Sequence, residues 1–146
     1  MLALIENKKA YFNYEVVEKY EAGLELMGLE VKSLKLKRGN IAGARVLVRG
    51  RETFVVGMDI PPYQPKNTPK DYEPQRTRKL LLHKNEISHL AGKAEERGLT
   101  IVPIKVYTQR GRIKVEIAVV RGKKKFEKRE KIKKRDMERE ISRRLK

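Results

Sequence analysis

Apolar residues recur on even positions through much of the first half of the chain. Phe12, Tyr14, Val16, Tyr20, Ala22, Leu24 and Leu26 form one series, interrupted only at Glu18. Successive side chains of a strand point to opposite faces, so this period of two predicts a long, half-buried strand. Gly23 lies inside it and would permit a bulge or sharp bend, as at a barrel corner. Ala42–Val48 and Phe54–Ile60 repeat the even pattern on either side of Gly50-Arg51 and predict a hairpin. Lys79–Leu82 is a further short apolar run. Val102, Ile104 and Val106 alternate before Arg110-Gly111, and Ile113, Val115, Ile117 and Val119 alternate after it. Those two runs form the clearest hairpin in the chain.

Two stretches have helical spacing instead. Ile87, Leu90, Ala91 and Ala94 follow i, i+3, i+4, i+7, with Asn85 as a cap and Gly98 as a stop after Arg97. In Leu29–Lys37, Val31 and Leu34 share one helical face. Five of the six prolines fall in Pro61–Arg76, a stretch without periodicity that reads as a long loop. Together these elements predict a mainly β fold with helices: an OB-fold-like closed antiparallel β-barrel with two or three flanking helices.

Charge adds the partner class. The chain has 146 residues, 36 of them Lys or Arg and 19 Asp or Glu, for a net charge of +17. Charged residues make up 38%, against about 25% in ordinary globular domains. Such an excess points to a polyanion, either nucleic acid or an anionic membrane surface. No uncharged run approaches the roughly 18 residues of a membrane span. Met1–Ile5 is too short for a signal peptide and is ended by Glu6. With no cysteine there are no disulfides, thiolate metal sites or thiol nucleophiles, which suits a reduced, cytoplasmic protein. A nucleic-acid-associated protein without a membrane partner is therefore expected.

The charge is concentrated at one end. Residues 123–146 carry 13 basic and 5 acidic residues, a net +8, with no Gly or Pro and few apolar side chains. They are too poor in apolar surface to dock on a core, yet their residues form helices well. Glu127 and Lys131, Glu130 and Lys134, and Glu140 and Arg144 are acid-before-base pairs at i,i+4. We expect two parts: a barrel over 1–122, and over 123–146 a basic C-terminal tail, disordered when free and helical when a partner supplies the surroundings.

Catalytic and metal-binding chemistry is sparse, which argues against an enzyme and against any cofactor. His83 and His89 are six residues apart, and there is no His-Glu-x-x-His motif. Glu95 and Glu96 are adjacent on a predicted helix and diverge. Gly92-Lys93 lacks the rest of a phosphate-binding loop. Basic residues interleaved with aromatics remain. Tyr63, Tyr72 and Phe126 are the aromatics best placed in loops or tail to stack on bases. Arg76, Arg78 and Lys79 beside a strand, with Lys8 and Lys9, make a candidate phosphate-binding face.

Six motifs then occur in order: Tyr20-Glu-Ala-Gly-Leu-Glu-Leu26, Glu30-Val-Lys-Ser-Leu34, Arg78-Lys-Leu-Leu-Leu-His83, Val102-Pro, Gly122-Lys-Lys-Lys-Phe-Glu-Lys-Arg129 and Ile132-Lys-Lys-Arg-Asp136. In that order and spacing the chain closely resembles the small protein B (SmpB) family, the transfer-messenger RNA (tmRNA)-binding proteins of bacterial trans-translation. The resemblance runs from about Asn7 to the C-terminus. It implies an OB-fold barrel that binds the tRNA-like domain of tmRNA and completes a tRNA shape. It implies entry into the empty A site of a stalled ribosome, the tail lying along small-subunit rRNA in the messenger channel.

The family's RNA-binding positions fall on Glu30, Leu81 and His83, to which we add the basic residues Lys32, Arg78 and Lys79. For Glu30, whose carboxylate repels phosphate, two roles stand open: accepting from base or ribose groups, or orienting a neighbouring Lys or Arg. For Leu81 the alternatives are packing against an unstacked base and ordinary core. The decoding-centre and messenger-channel set is Lys123, Lys124, Phe126, Glu127, Lys128, Arg129, Ile132, Lys133, Arg135 and Met137. The family's usual Asp-Lys-Arg reads Glu127-Lys-Arg129 here, and Phe126 stands where relatives often have His or Tyr. Gly28-Leu-Glu-Val31 and the spacing of Leu36-Lys-Arg-Gly-Asn40, within Leu36–Gly43, also depart from the usual pattern. A monomer is expected in the absence of RNA. The rival reading is a general RNA-binding or ribosome-associated structural OB-fold protein, which unrelated RNA or tRNA would displace from its target.

Overall fold

The computed structural model describes residues 2–122. It is mainly β, with three α-helices and a single antiparallel seven-stranded sheet. The elements in chain order are β1 (Leu2–Glu6), α1 (Lys8–Asn13), β2 (Tyr14–Leu24), α2 (Gly28–Lys35), β3 (Arg45–Arg49), β4 (Glu52–Val56), β5 (Arg78–Leu81), α3 (Lys84–Glu95), β6 (Leu99–Gln109) and β7 (Arg112–Gly122). The strand order across the sheet is β1-β6-β7-β2-β5-β4-β3. The expectations for residues 123–146 lie outside the described residues.

The hairpin around Arg110-Gly111 is present, with Gln109 paired to Arg112 and both turn residues at positive φ. The hairpin around Gly50 is also present, but its strands are shorter than the apolar pattern suggested. The expected strand over Phe12–Leu26 is corrected. Its first residues close α1, and Val17 is an extra residue opposite β7, between the pairs Val16–Val120 and Glu18–Val119. Such a bulge rephases the strand, so even positions before and after it face opposite sides of the sheet.

Two cores result. Ala22 and Leu24 join Leu34, Ile41, Val55, Ile60, Leu80, Leu90, Val106 and Ile117 in the main core, with Tyr20 packed against it. Tyr14 and Val16 instead pack with Ala10 of α1 and with Val102, Ile104, Ala118 and Val120 on the other face. β6 is offset in the same way between Pro103 and Lys105, and β1 between Ala3 and Ile5. Glu18, the polar break in the even series, accepts from the Tyr20 hydroxyl at 2.8 Å and lies 2.9 Å from His89 Nε2 of α3.

The expected closed barrel is not what the strand pairing forms. The sheet curls until β3 lies against β6, yet no hydrogen-bonded ladder joins the two among the described residues. Part of the reason is that β1 already occupies the edge of β6 from Lys105 to Thr108. In addition, α3 packs against both β3 and β6, and buries Leu90 completely.

Candidate nucleic-acid interface

α2 and β5 bring the candidate residues together. Glu30 lies in the first turn of α2 and accepts from the Met27 N–H at 2.8 Å, satisfying a donor that the helix start leaves without a partner. Its side chain points inward and has no exposed surface. Arg78, at the start of β5, is likewise fully buried and donates from Nε to Glu30 Oε2 at 2.7 Å. Burying a carboxylate is costly unless it is paired and hydrogen-bonded. Burial pushes the Glu30 carboxyl pKa up, but hydrogen bonds from Arg76, the Met27 N–H and Arg78 outweigh it and hold the group below the usual carboxylate range.

All five N–H groups of Arg78 have acceptors. Besides Glu30 they are the carbonyls of Met58 at 2.7 Å, Arg76 at 3.1 Å and Pro74 at 2.9 Å, and the Tyr72 hydroxyl at 3.3 Å. Arg78 thus fastens both ends of the Pro-rich excursion to the sheet. The excursion is otherwise irregular apart from one short 3-10 turn, Pro65–Asn67. Ser33 of α2 donates to the Pro61 carbonyl at 2.7 Å, and Lys32 Nζ stands 5.7 Å from the centre of the Tyr63 ring.

The expectation that Arg78 offers its guanidinium to phosphate is therefore corrected. A group without exposed surface, its donors all engaged, has none left for RNA in this conformation. For Glu30 the same burial removes direct contact with bases and leaves the second alternative, orientation of a neighbouring cation. That cation is Arg76, which forks onto the carboxylate through Nε at 3.1 Å and through Nη2, and is 32% exposed.

Leu81 and His83 lie on the outside. Leu81 is 52% exposed, which removes the ordinary-core alternative. It pairs with Gly23 of β2, where an added Cβ would stand 3.2 Å from Leu81 Cβ. Gly23 keeps that wall thin, and its role is close approach and not a corner. His83 is the N-cap residue of α3, a position expected for Asn85; its backbone N–H donates to the Glu86 carboxylate at 3.0 Å. Both residues line an open hollow of 620 Å³ with Gly23, Leu26, Arg112 and Lys114. Glu21 and Glu86 add carboxylates to its wall. Cations, carboxylates and an apolar floor thus share one surface, a combination that could meet phosphates, base amino groups and a base face.

Leu26 also borders a second hollow, of 470 Å³, which contains Arg76 and Lys79. The sequence reading missed Arg112 and Lys114, although both are polar positions at the start of an alternating strand. Among the described residues, no group of three or more His, Cys, Asp or Glu could hold a metal ion. No described helix is long and apolar enough to cross a membrane.

Comparison with known proteins decides the family. The family model described as SmpB protein matches residues 4–146. The chain belongs to the SmpB family.

Among SmpB-family relatives, the SsrA-binding protein of Azoarcus sp. (strain BH72) is 49% identical over 97% of this chain and 96% of its own length. The SsrA-binding protein of Thermosipho africanus (strain TCF52B) is 48% identical over 100% of this chain and 98% of its own. A chain in a solved structure named "tmRNA-SmpB: a journey to the center of the bacterial ribosome" superposes with a TM-score of 0.69 at 43% identity, covering 83% of this chain and 85% of that one. The matched SmpB region takes in both hollows, the buried Glu30–Arg78 pair and residues 123–146.

Proposed function

We propose that this chain is an SsrA-binding (tmRNA-binding) protein of trans-translation. It is an RNA-binding adaptor and not an enzyme. It binds the tRNA-like domain of tmRNA and delivers it to the A site of stalled ribosomes. The observation that carries this reading is the near-full-length match to SsrA-binding proteins, with the Leu81–His83 surface exposed on the matched fold. Such a surface suits an RNA with unstacked bases, which single-stranded loops supply and regular duplexes do not.

On this reading the curled sheet serves as an OB-like barrel whose seam runs between β3 and β6. Residues 123–146 enter the decoding centre and messenger channel, where Lys123, Lys124, Phe126, Glu127, Lys128, Arg129, Ile132, Lys133, Arg135 and Met137 meet small-subunit rRNA. Their charge suits a phosphate-lined channel, and their spacing suits a helix formed there. Competition tests the reading. A labelled tRNA-like domain bound to the full chain should be displaced by unlabelled tmRNA and retained against excess tRNA. Equal displacement by both RNAs would overturn it in favour of a general RNA binder.

A further inference from the structure

The second hollow is lined by Leu26, Met27, Phe54, Arg76 and Lys79, with Glu25 as the one carboxylate on its wall among the described residues. Arg76 gives two of its five N–H groups to Glu30 and one, at 3.5 Å, to the Thr77 carbonyl. Among the described residues its other two N–H groups meet no hydrogen-bond acceptor. Lys79 is 40% exposed, and its ion-pair partner among the described residues is Glu52, at 3.6 Å. Met27 is 39% exposed and supplies apolar surface on the same wall. Two cations beside an apolar patch suit a nucleotide phosphate with its sugar or base against the wall.

We propose that this hollow is a phosphate subsite for RNA, with Arg76 and Lys79 as the contacting residues and Tyr72 as the residue that positions Arg76. The proposal rests on the RNA-binding reading above and deepens it. The Tyr72 hydroxyl donates to the Ile60 carbonyl at 2.8 Å, at the start of the Pro-rich excursion. It receives Arg78 Nη2 and stands 3.2 Å from Glu30 Oε2. The Ile60 N–H donates to the Pro74 carbonyl at 3.0 Å, closing the base of the excursion two residues before Arg76. One hydroxyl thus ties the excursion's origin to the ion pair that aims Arg76.

The test measures binding of a tRNA-like domain transcript to the full chain across a salt series, with urea unfolding of each variant to establish that it is folded. Each phosphate contact contributes about 0.7 to 0.9 to the slope of log affinity against log salt. Arg76→Gln and Lys79→Gln should each lower that slope by about that amount. Lys79→Gln lies outside the Glu30 cluster, so it reports on the subsite even where Arg76→Gln disturbs folding.

Tyr72→Phe should weaken binding several-fold in the wild-type background and leave it unchanged in the Arg76→Gln background. An unchanged slope in folded Lys79→Gln or Arg76→Gln would overturn the subsite. Equal weakening by Tyr72→Phe in both backgrounds would overturn the positioning role. A wild-type chain that fails to bind the transcript would overturn the RNA-binding reading itself, an outcome distinct from both.

Discussion

Glu30 and Arg78 stand 48 residues apart in the chain, yet their side chains form an ion pair that solvent does not reach. The pair joins α2 to β5 and anchors the Pro-rich excursion between β4 and β5. Removing one partner of such a pair leaves an uncompensated buried charge and costs about 3–5 kcal/mol. Glu30→Ala should lower unfolding free energy by that amount in urea, and RNA affinity should fall with it. A loss below about 1 kcal/mol would mean that the interior accommodates an unpaired Arg78, contrary to the geometry.

The same pair sets an acid response. The folded-state pKa of Glu30 lies below its ordinary value of 4.5, so the unfolded chain takes up a proton first as pH falls. The stabilisation is complete above 4.5 and is lost as pH drops through the folded-state value. Urea midpoints of the wild type and Glu30→Gln should differ by a constant amount from pH 7 to about 5 and converge below that. A gap that widens on acidification would contradict the assignment.

Leu81 should separate binding from stability. A half-exposed leucine contributes little to the core, so Leu81→Ala should change unfolding free energy by no more than about 0.5 kcal/mol. Loss of a stacking surface should weaken RNA binding by about 1–3 kcal/mol. Urea unfolding and RNA titration of one preparation check both. A large stability loss with unchanged affinity would return Leu81 to a structural role.

Much of the fold was legible because strands and helices write their periods into the apolar positions. The hairpin over β6 and β7 stands where the pattern put it, and so does the helix carrying Leu90, with its cap at His83 instead of Asn85 and its end at Glu95 instead of Arg97. The offset at Val17 was not legible, because a one-residue bulge leaves the even series intact in sequence while reversing its faces in space. β1 was missed because a five-residue apolar run has too few positions to display a period. The Glu30–Arg78 pair was hidden for another reason: charged side chains are read as surface by default, and nothing local links positions 48 residues apart. Leu81 was ambiguous for the opposite reason, since an apolar residue in an apolar run gives no sign that its face is open.

The end of β7 bears on the tail. The last described strand pairs as far as Gly122 with Tyr14, so deleting residues 123–146 leaves every described strand residue in place. That truncate should remain folded and bind the tRNA-like domain, with a smaller salt slope after losing a net charge of +8. It should fail to support peptide transfer on stalled ribosomes. Loss of RNA binding on truncation would move the interface into the tail.

Helix formation in the tail is testable apart from its charge. Proline at Ile132 or Met137 leaves every charge in place but disfavours a helix by about 3 kcal/mol. Each proline variant should bind RNA normally and support peptide transfer poorly, with alanine at the same position milder. Full transfer by the proline variants would remove the helical-tail mechanism.

Reconstituted trans-translation measures the proposed activity of this chain without intermediary. Ribosomes stalled with an empty A site would be supplied with tmRNA and this chain, and transfer of the nascent peptide to tmRNA measured. Transfer should depend on the full chain and be lost with the truncate. No transfer by a folded full-length chain that binds tmRNA, on ribosomes that a known SsrA-binding protein rescues, would contradict the proposed activity.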